Sequence, residues 1–288
     1  MTFTLPCLAL LLAPGADKPA AYPRPELLVE PADVLKLADT RILDARGKGS
    51  YLDGHFPGAV WVDAVGWSRA FGDGKDVDGW SKRVGALGID VNTTVVIYDD
   101  SMSKDAARVW WILRYWGVKD VRLVNGWPGL AWLVGPGLAK DDFKPAPKDP
   151  KLNVQADRLA TKAQMLAALK DRPFQILDAR SDGEFCGTEE TAKKNGAIPG
   201  ALHLEWSDAL DRKTQRFKSA SELTKLFKDA GIDPTKPATT YCQSGGRAAV
   251  LAFTVELMGG KEVRNYYRSW AEWGNAEDTP VENGKAKK

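Results

Sequence analysis

Tyr241-Cys242-Gln243-Ser244-Gly245-Gly246-Arg247-Ala248 is the stretch that decides how this chain folds. The β-branched and aromatic Thr239-Thr240-Tyr241 opens it, and Ala248 to Met258 follows with the apolar spacing of a helix. The stretch therefore reads strand, tight loop, helix, with a lone cysteine at the head of the loop. Such a loop points several backbone N–H groups into one small bowl at the positive end of a helix dipole. An anion belongs there, and the same field favours the thiolate of Cys242. Gly245 and Gly246 let the loop curl through positive φ. Arg247 adds a planar fork of donors for an oxyanion. A structural cysteine beside an ordinary helix would account for Cys242 alone, but not for loop, glycines and arginine together.

The spacing narrows the chemistry. Arg247 stands five positions after Cys242, a Cys-x4-Arg spacing. Cysteine phosphatases carry Cys-x5-Arg, a bowl sized for tetrahedral phosphate, so this bowl is one residue smaller. On these residues the loop resembles that of the rhodanese (sulfurtransferase) family, whose six-residue loop holds a cysteine persulfide. Gln243 and Arg247, at the second and sixth loop positions, resemble the thiosulfate-type branch. Gly54-His55-Phe56-Pro57-Gly58-Ala59 resembles a second signature of the family, where its role is mainly structural. The turn residues around His55 explain that histidine without chemistry.

The landmarks occur twice. Ile42-Leu43-Asp44-Ala45-Arg46 returns as Ile176-Leu177-Asp178-Ala179-Arg180, Pro57-Gly58-Ala59 as Pro199-Gly200-Ala201, and Gly88-Ile89-Asp90 as Gly231-Ile232-Asp233. The strand before Asp99 matches the strand before Cys242, and Arg268-Ser269-Trp270 takes the place of Asn125-Gly126-Trp127. A shared order of landmarks points to tandem duplication. Strands alternating with helices argue for parallel sheets covered on both faces. Helical spacing is read over Val29–Leu37, Asp78–Leu87 and Ala106–Trp116, and strands over Thr93–Tyr98 and Val121–Val124. The expected fold is α/β: two tandem rhodanese-like domains, each a parallel sheet flanked by helices. The first covers 22–136 and the second 157–277, with 137–156 as linker and 278–288 as a disordered tail.

The copies differ at the loop. Where the second has Cys242, the first has Asp99-Asp100-Ser101-Met102-Ser103-Lys104-Asp105, with neither cysteine nor glycine. A carboxylate is stable at a helix N-terminus but cannot carry sulfur, so the first copy is expected to be catalytically silent. This resembles tandem rhodaneses, whose inactive first domain has Asp at the cysteine position.

At 288 residues the chain can bury two cores of ordinary size. A net charge of +2 is too balanced for a nucleic-acid surface. With three cysteines, one of them Cys7 in a candidate presequence, a disulfide framework is not expected. His55 and His203 are the two histidines, and no metal-site constellation is read. Residues 1–20 form a candidate signal peptide or disordered lead: the apolar run Phe3–Ala13 is too short to span a membrane and lacks a preceding Lys or Arg. Export to the periplasm follows if that signal is real, and a cytoplasmic location otherwise.

The resemblance implies a double displacement. Cys242 is the nucleophile, and Gln243, Ser244, Gly245, Gly246 and Arg247 bind the persulfide and donor. Asp178 and Arg180 support the loop, either by orienting it for catalysis or by stabilising the fold. Arg247 either draws in the donor or points away and pairs with Asp178 or Glu184. Glu184 stands where well-known tandem sulfurtransferases resemble one another in having a substrate-binding arginine, with Lys193 or Lys194 as compensating charges. Ala197 replaces the family histidine. Cys186 is read as inert or as a second thiol. No cofactor is implied. The partners are a small sulfur donor and acceptor, with a thiol protein as a further acceptor, and neither nucleic acid nor membrane. Thiosulfate is the expected donor. The alternatives are 3-mercaptopyruvate as donor, a cysteine phosphatase or arsenate reductase, and a sulfur-carrying or docking module without turnover.

Overall fold

Runs such as Thr94-Val95-Val96-Ile97-Tyr98, apolar without alternation, belong in strands covered on both faces. The computed structural model describes residues 21–34, 36–127 and 137–285, so the lead segment 1–20 lies outside the described residues. In the first half the order is β1 (Leu28–Val29), α1 (Pro31–Val34), β2 (Thr40–Asp44), α2 (Lys48–Asp53), β3 (Val60–Trp61), α3 (Ala64–Phe71), α4 (Val77–Ala86), β4 (Thr94–Tyr98), α5 (Lys104–Tyr115) and β5 (Val121–Val124). In the second it is α6 (Lys162–Asp171), β6 (Gln175–Asp178), α7 (Asp182–Cys186), β7 (Leu202–His203), α8 (Ala220–Asp229), β8 (Ala238–Tyr241), α9 (Gly246–Leu257), β9 (Val263–Asn265) and α10 (Ser269–Trp273).

The halves form two parallel sheets, ordered β1-β5-β4-β2-β3 and β7-β6-β8-β9. The registers repeat as well: Asp44 faces Tyr98 as Asp178 faces Tyr241. Both strand pairs thus end at the same edge, the carboxyl edge where open parallel sheets place their ligands. Thr161, Ser181 and Ser219 each start a helix of the second half with a capping box.

The sheets are joined through helices. α5 is buried from Ala106 to Leu113, and α9 along its whole length except Arg247. Helices buried on nearly every side need cover on every side, and these two cover each other, with Trp110 edge-on to Phe253 at 5.1 Å. One hydrophobic cluster therefore runs from Leu43, Trp80 and Ile97 through to Leu177, Leu223 and Leu251.

Two expectations need correction. The helix read over Val29–Leu37 is a short strand, β1, followed by a single turn from Pro31; proline cannot extend the strand but suits a helix start. The tail expected to be disordered from 278 is placed against the second half: Glu282 pairs with Ala197, Gly284 N donates to Phe185 O at 3.1 Å, and Thr279 is buried. Segment 140–155, within the expected linker, runs along the first half, with Lys148 N on Gly85 O and Gln155 N on Tyr115 O at 3.0 and 2.8 Å.

Candidate active site

Between the end of β8 and the start of α9 lie Cys242, Gln243, Ser244 and Gly245. Gly245 takes φ 83°, and a Cβ there would meet the Tyr267 ring at 2.7 Å, so both conformation and space require glycine. Cys242 is 1% exposed, and its Sγ accepts the Gly245 N–H at 3.1 Å. Its backbone is clamped from the segment after β9: Cys242 N donates to Ser269 Oγ at 3.1 Å, and Cys242 O accepts from Trp270 N at 2.9 Å. Gln243 is fixed by Ala271 N on its carbonyl and by its own Nε2 on Thr191 O. Asn265 Nδ2 holds Gly245 O at 3.0 Å, and Arg108 of α5 reaches Ser244 O at the same distance. The N–H groups of Gly246, Arg247 and Ala248, the first turn of α9, meet no acceptor among the described residues. They are the open donors of a helix start.

Arg247 does not face the bowl as a free cation. Its guanidinium holds the Glu184 carboxylate bidentately, at 2.5 and 2.8 Å. Burial alone would raise the Glu184 pKa, but Arg247 overrides it and holds the carboxyl below its ordinary value. Burial would likewise lower Arg247, and Glu184 with the nearby Cys242 lifts it instead. Of the two sequence readings of Arg247, the geometry matches the pairing with Glu184. Lys194 gives its ammonium to Thr279.

Asp178 and Arg180 form a fully buried bidentate pair. Arg180 also bonds Gly196 O at 2.7 Å and lies 4.2 Å above the Trp270 ring, while Tyr241 donates to Asp178 Oδ2. Burial would lower the Arg180 pKa, yet Asp178 holds it above the ordinary value. The first half builds the same unit from Asp44, Arg46, Gly54, Tyr98 and Trp127. A unit present in both halves, one of which has no cysteine, is framework that fixes the strand ends under the loop. His55, with Nδ1 2.9 Å from Tyr51 O and its ring stacked on Tyr51 at 3.8 Å, is buried structure too.

The first-half loop is also a closed bowl, although it has no glycine. Met102 and Ser103 supply the positive φ values of 56° and 62°. Five residues, Asp99 to Ser103, separate β4 from α5, against four between β8 and α9. The Asp99 carboxylate fills this bowl, accepting from the N–H of Ser101, Ser103, Asp105 and Ala106. Burial pushes its carboxyl up, and those donors pull the other way.

Ser269, Asn265 and Arg108 escape a reading by motif. Ser269 does leave a signal: it replaces Gly126 of the first half, and both take positive φ, 53° and 89°. A serine at that strained position trades conformational ease for a hydroxyl on Cys242 N. A cavity of about 330 Å³ opens beside the loop, lined by Ser68, Arg69, Ser244, Tyr267 and Arg268. Another, of about 340 Å³ between Arg172, Phe174, Pro199 and Lys236, lies by the opposite end of β6 and does not include the loop. Among the described residues no cluster could hold a metal ion, and no helix is long and apolar enough to cross a membrane.

Comparison with known proteins agrees with this duplicated plan. The rhodanese-like domain model matches residues 30–129 and again 161–276. A thiosulfate sulfurtransferase of Corynebacterium glutamicum is 34% identical over 253 residues, covering 81% of each chain. The sulfur carrier protein TtuD of Thermus thermophilus is 31% identical over 290 residues, covering 92% of this chain and 99% of its own. The crystal structure of YnjE superposes with a TM-score of 0.79 at 25% identity, over 92% of this chain and 70% of that one. Two like halves, each matched by the same family model, place this chain in the rhodanese family.

Proposed function

We propose that this chain is a sulfurtransferase that moves a sulfane sulfur from thiosulfate to a thiophilic acceptor through a persulfide on Cys242. The observation that carries the reading is the contrast between the two bowls. Asp99 occupies one with its own carboxylate, whereas Cys242 heads the other with the first-turn N–H groups of α9 left open.

In the first step the Cys242 thiolate attacks the outer sulfur of thiosulfate. A new S–S bond forms, the bond to the sulfonate sulfur breaks, and sulfite leaves with its electron pair. In the second, cyanide or a thiolate takes the outer sulfur and the Cys242 thiolate is restored. Backbone N–H groups fixed in advance stabilise the sulfur anion without reorganising. Thiosulfate needs positive charge but no carboxylate clamp, and the open N–H groups meet that need without Arg247. A 3-mercaptopyruvate donor would call for a free guanidinium fork, and the fork of Arg247 is taken by Glu184.

Intact mass after thiosulfate treatment tests this reading. Cys242 should gain one sulfur with release of sulfite, and cyanide should remove it over many turnovers. A persulfide that forms but does not turn over with cyanide would favour a carrier, in keeping with the TtuD likeness. No sulfur uptake from thiosulfate, or faster turnover with mercaptopyruvate, would overturn the thiosulfate assignment.

A further inference from the structure

The peptide unit between Ser244 and Gly245 is held at both ends. Its N–H, on Gly245, donates to Cys242 Sγ at 3.1 Å, and its carbonyl, on Ser244, accepts from Arg108 Nη1 at 3.0 Å. Arg108 belongs to the half that has no cysteine. It is 9% exposed, and Nη1 is anchored further by Ser68 Oγ at 2.6 Å and Tyr267 OH at 3.3 Å. The guanidinium lies close enough to the loop that a Cβ on Gly246 would stand 2.2 Å from Nη2. None of these partners is a carboxylate, and Nε is buried without a partner. An arginine is also out of place on this helix. The N-caps Ser103 and Gly245 align the two loops, and five residues on, Arg108 stands where α9 has the buried Val250.

A buried cation without a counter-ion is costly unless an anion is near. The other cations around Cys242 already have carboxylates: Arg247 has Glu184, Arg180 has Asp178, and Arg268 has Glu272. Tyr241 donates to Asp178, and Tyr267 takes part in the Arg108 anchor. Arg69 is exposed at the rim of the adjoining cavity. A cation bonded to an amide carbonyl polarises that amide and strengthens its N–H as a donor. That N–H points at the sulfur.

We propose that Arg108 is a positioning residue supplied by the cysteine-free half, which holds and polarises the Ser244–Gly245 peptide so that the Gly245 N–H stabilises the sulfur anion of Cys242. The inference rests on Cys242 being the sulfur-bearing residue. It gives the first half a part in the chemistry although its own bowl is filled.

The test follows alkylation of Cys242 by iodoacetamide against pH, read by mass on the peptide that carries it, in wild type, Arg108→Met and Arg108→Lys. Sulfur uptake from thiosulfate and thermal melts are measured on the same samples. In Arg108→Met the pH midpoint of alkylation should rise by about one unit, and sulfur uptake should slow roughly tenfold. Arg108→Lys should recover part of both. A folded Arg108→Met with the wild-type midpoint would overturn the proposal, since a purely structural arginine would move the melt alone. Should Arg108→Met fail to fold, Ser68→Ala and Tyr267→Phe each remove one anchor of Arg108 and should move the midpoint the same way by less. An unmoved midpoint in both would overturn it equally. Wild type that takes no sulfur from thiosulfate would defeat the sulfurtransferase reading, while the alkylation profiles would still judge Arg108.

Discussion

Cys242 and Cys186 are both free thiols, but Cys242 alone has an N–H donor on its sulfur. Cys242→Ser should abolish sulfur transfer, and Cys186→Ser should keep most of it, as read by sulfite release; equal loss with intact folding would point to a two-thiol relay. The Arg247–Glu184 pair gives a second test at this scale. Arg247→Ala would strand a carboxylate that is 6% exposed in its side chain, with an expected stability loss of about 1–3 kcal/mol. It would also put an unpaired negative charge near the loop proposed to take thiosulfate, so thiosulfate kcat/KM should fall. Glu184→Gln should do the reverse, freeing the guanidinium and raising thiosulfate kcat/KM. Unchanged kinetics in Glu184→Gln would confine Arg247 to the fold. The pair also sets a pH dependence. Glu184 has a folded pKa below its ordinary 4.5. Its contribution is therefore complete above pH 4.5 and lost as pH falls through the folded value. Acid unfolding should lose this component in Glu184→Gln. The loop residues were legible in sequence because they are contiguous. Which way Arg247 turns was not, since Glu184 lies 63 positions away and spacing carries no distance.

At the scale of elements, the two strand–loop–helix units show how one plan serves opposite ends. The Asp99 carboxylate satisfies four backbone donors, from Ser101, Ser103, Asp105 and Ala106. Asp99→Ala should therefore destabilise the protein by about 2–4 kcal/mol, measured by urea unfolding, through donors left buried and unpaired. Asp99→Cys should not create a second sulfur site. Its loop is one residue longer than that of Cys242, and Met102 and Ser103 hold positive φ without the space that Gly245 and Gly246 leave for Tyr267 and Arg108. A second persulfide in the Asp99→Cys variant, mapped to the first-half loop after thiosulfate treatment, would show that loop size does not decide which half loads sulfur. β4 and β5 are legible because Thr94–Tyr98 and Val121–Val124 are rich in β-branched residues and bounded by turn residues, whereas the two-residue β1 is too short to leave a pattern of its own. α3 escaped notice because Gly66 interrupts its pattern; Asp63 caps it through Gly66 N at 2.8 Å. The tail after 277 escaped because its order comes from distant partners, Ala197 and Phe185, and not from its own polar composition.

At the scale of the molecule, the duplication was legible in sequence but the way the halves lean on each other was not. Repeated landmarks give like folds and say nothing of which faces meet. What meets is α5 and α9, the two helices that follow the two bowls. Between them Trp110 and Phe253 are 0% exposed, and Trp110 is pinned by its Nε1–H on Val121 O at 3.0 Å. Glu256, near the end of α9, is held from outside by Arg24 and Arg158, and Arg158 lies 5.4 Å from the Trp110 ring. Phe253→Ala should therefore cost about 3–5 kcal/mol, the range for emptying a buried aromatic site. Trp110→Ala should cost as much, and the double mutant should show a coupling of about 0.5–1.5 kcal/mol from the edge-on ring pair. Because α9 carries the Cys242 loop at its head and α5 carries Arg108, damage here should reach the chemistry as well. Phe253→Ala should slow sulfur uptake even where melts show the protein folded, whereas a cavity of similar size in the first-half cluster of Val34, Phe56 and Val96, made by Phe56→Ala, should lower stability with sulfur uptake unchanged. Urea unfolding and single-turnover sulfur uptake on these variants check the claim. Unaltered uptake in folded Phe253→Ala would mean that the seam between the halves supports the fold without tuning the site.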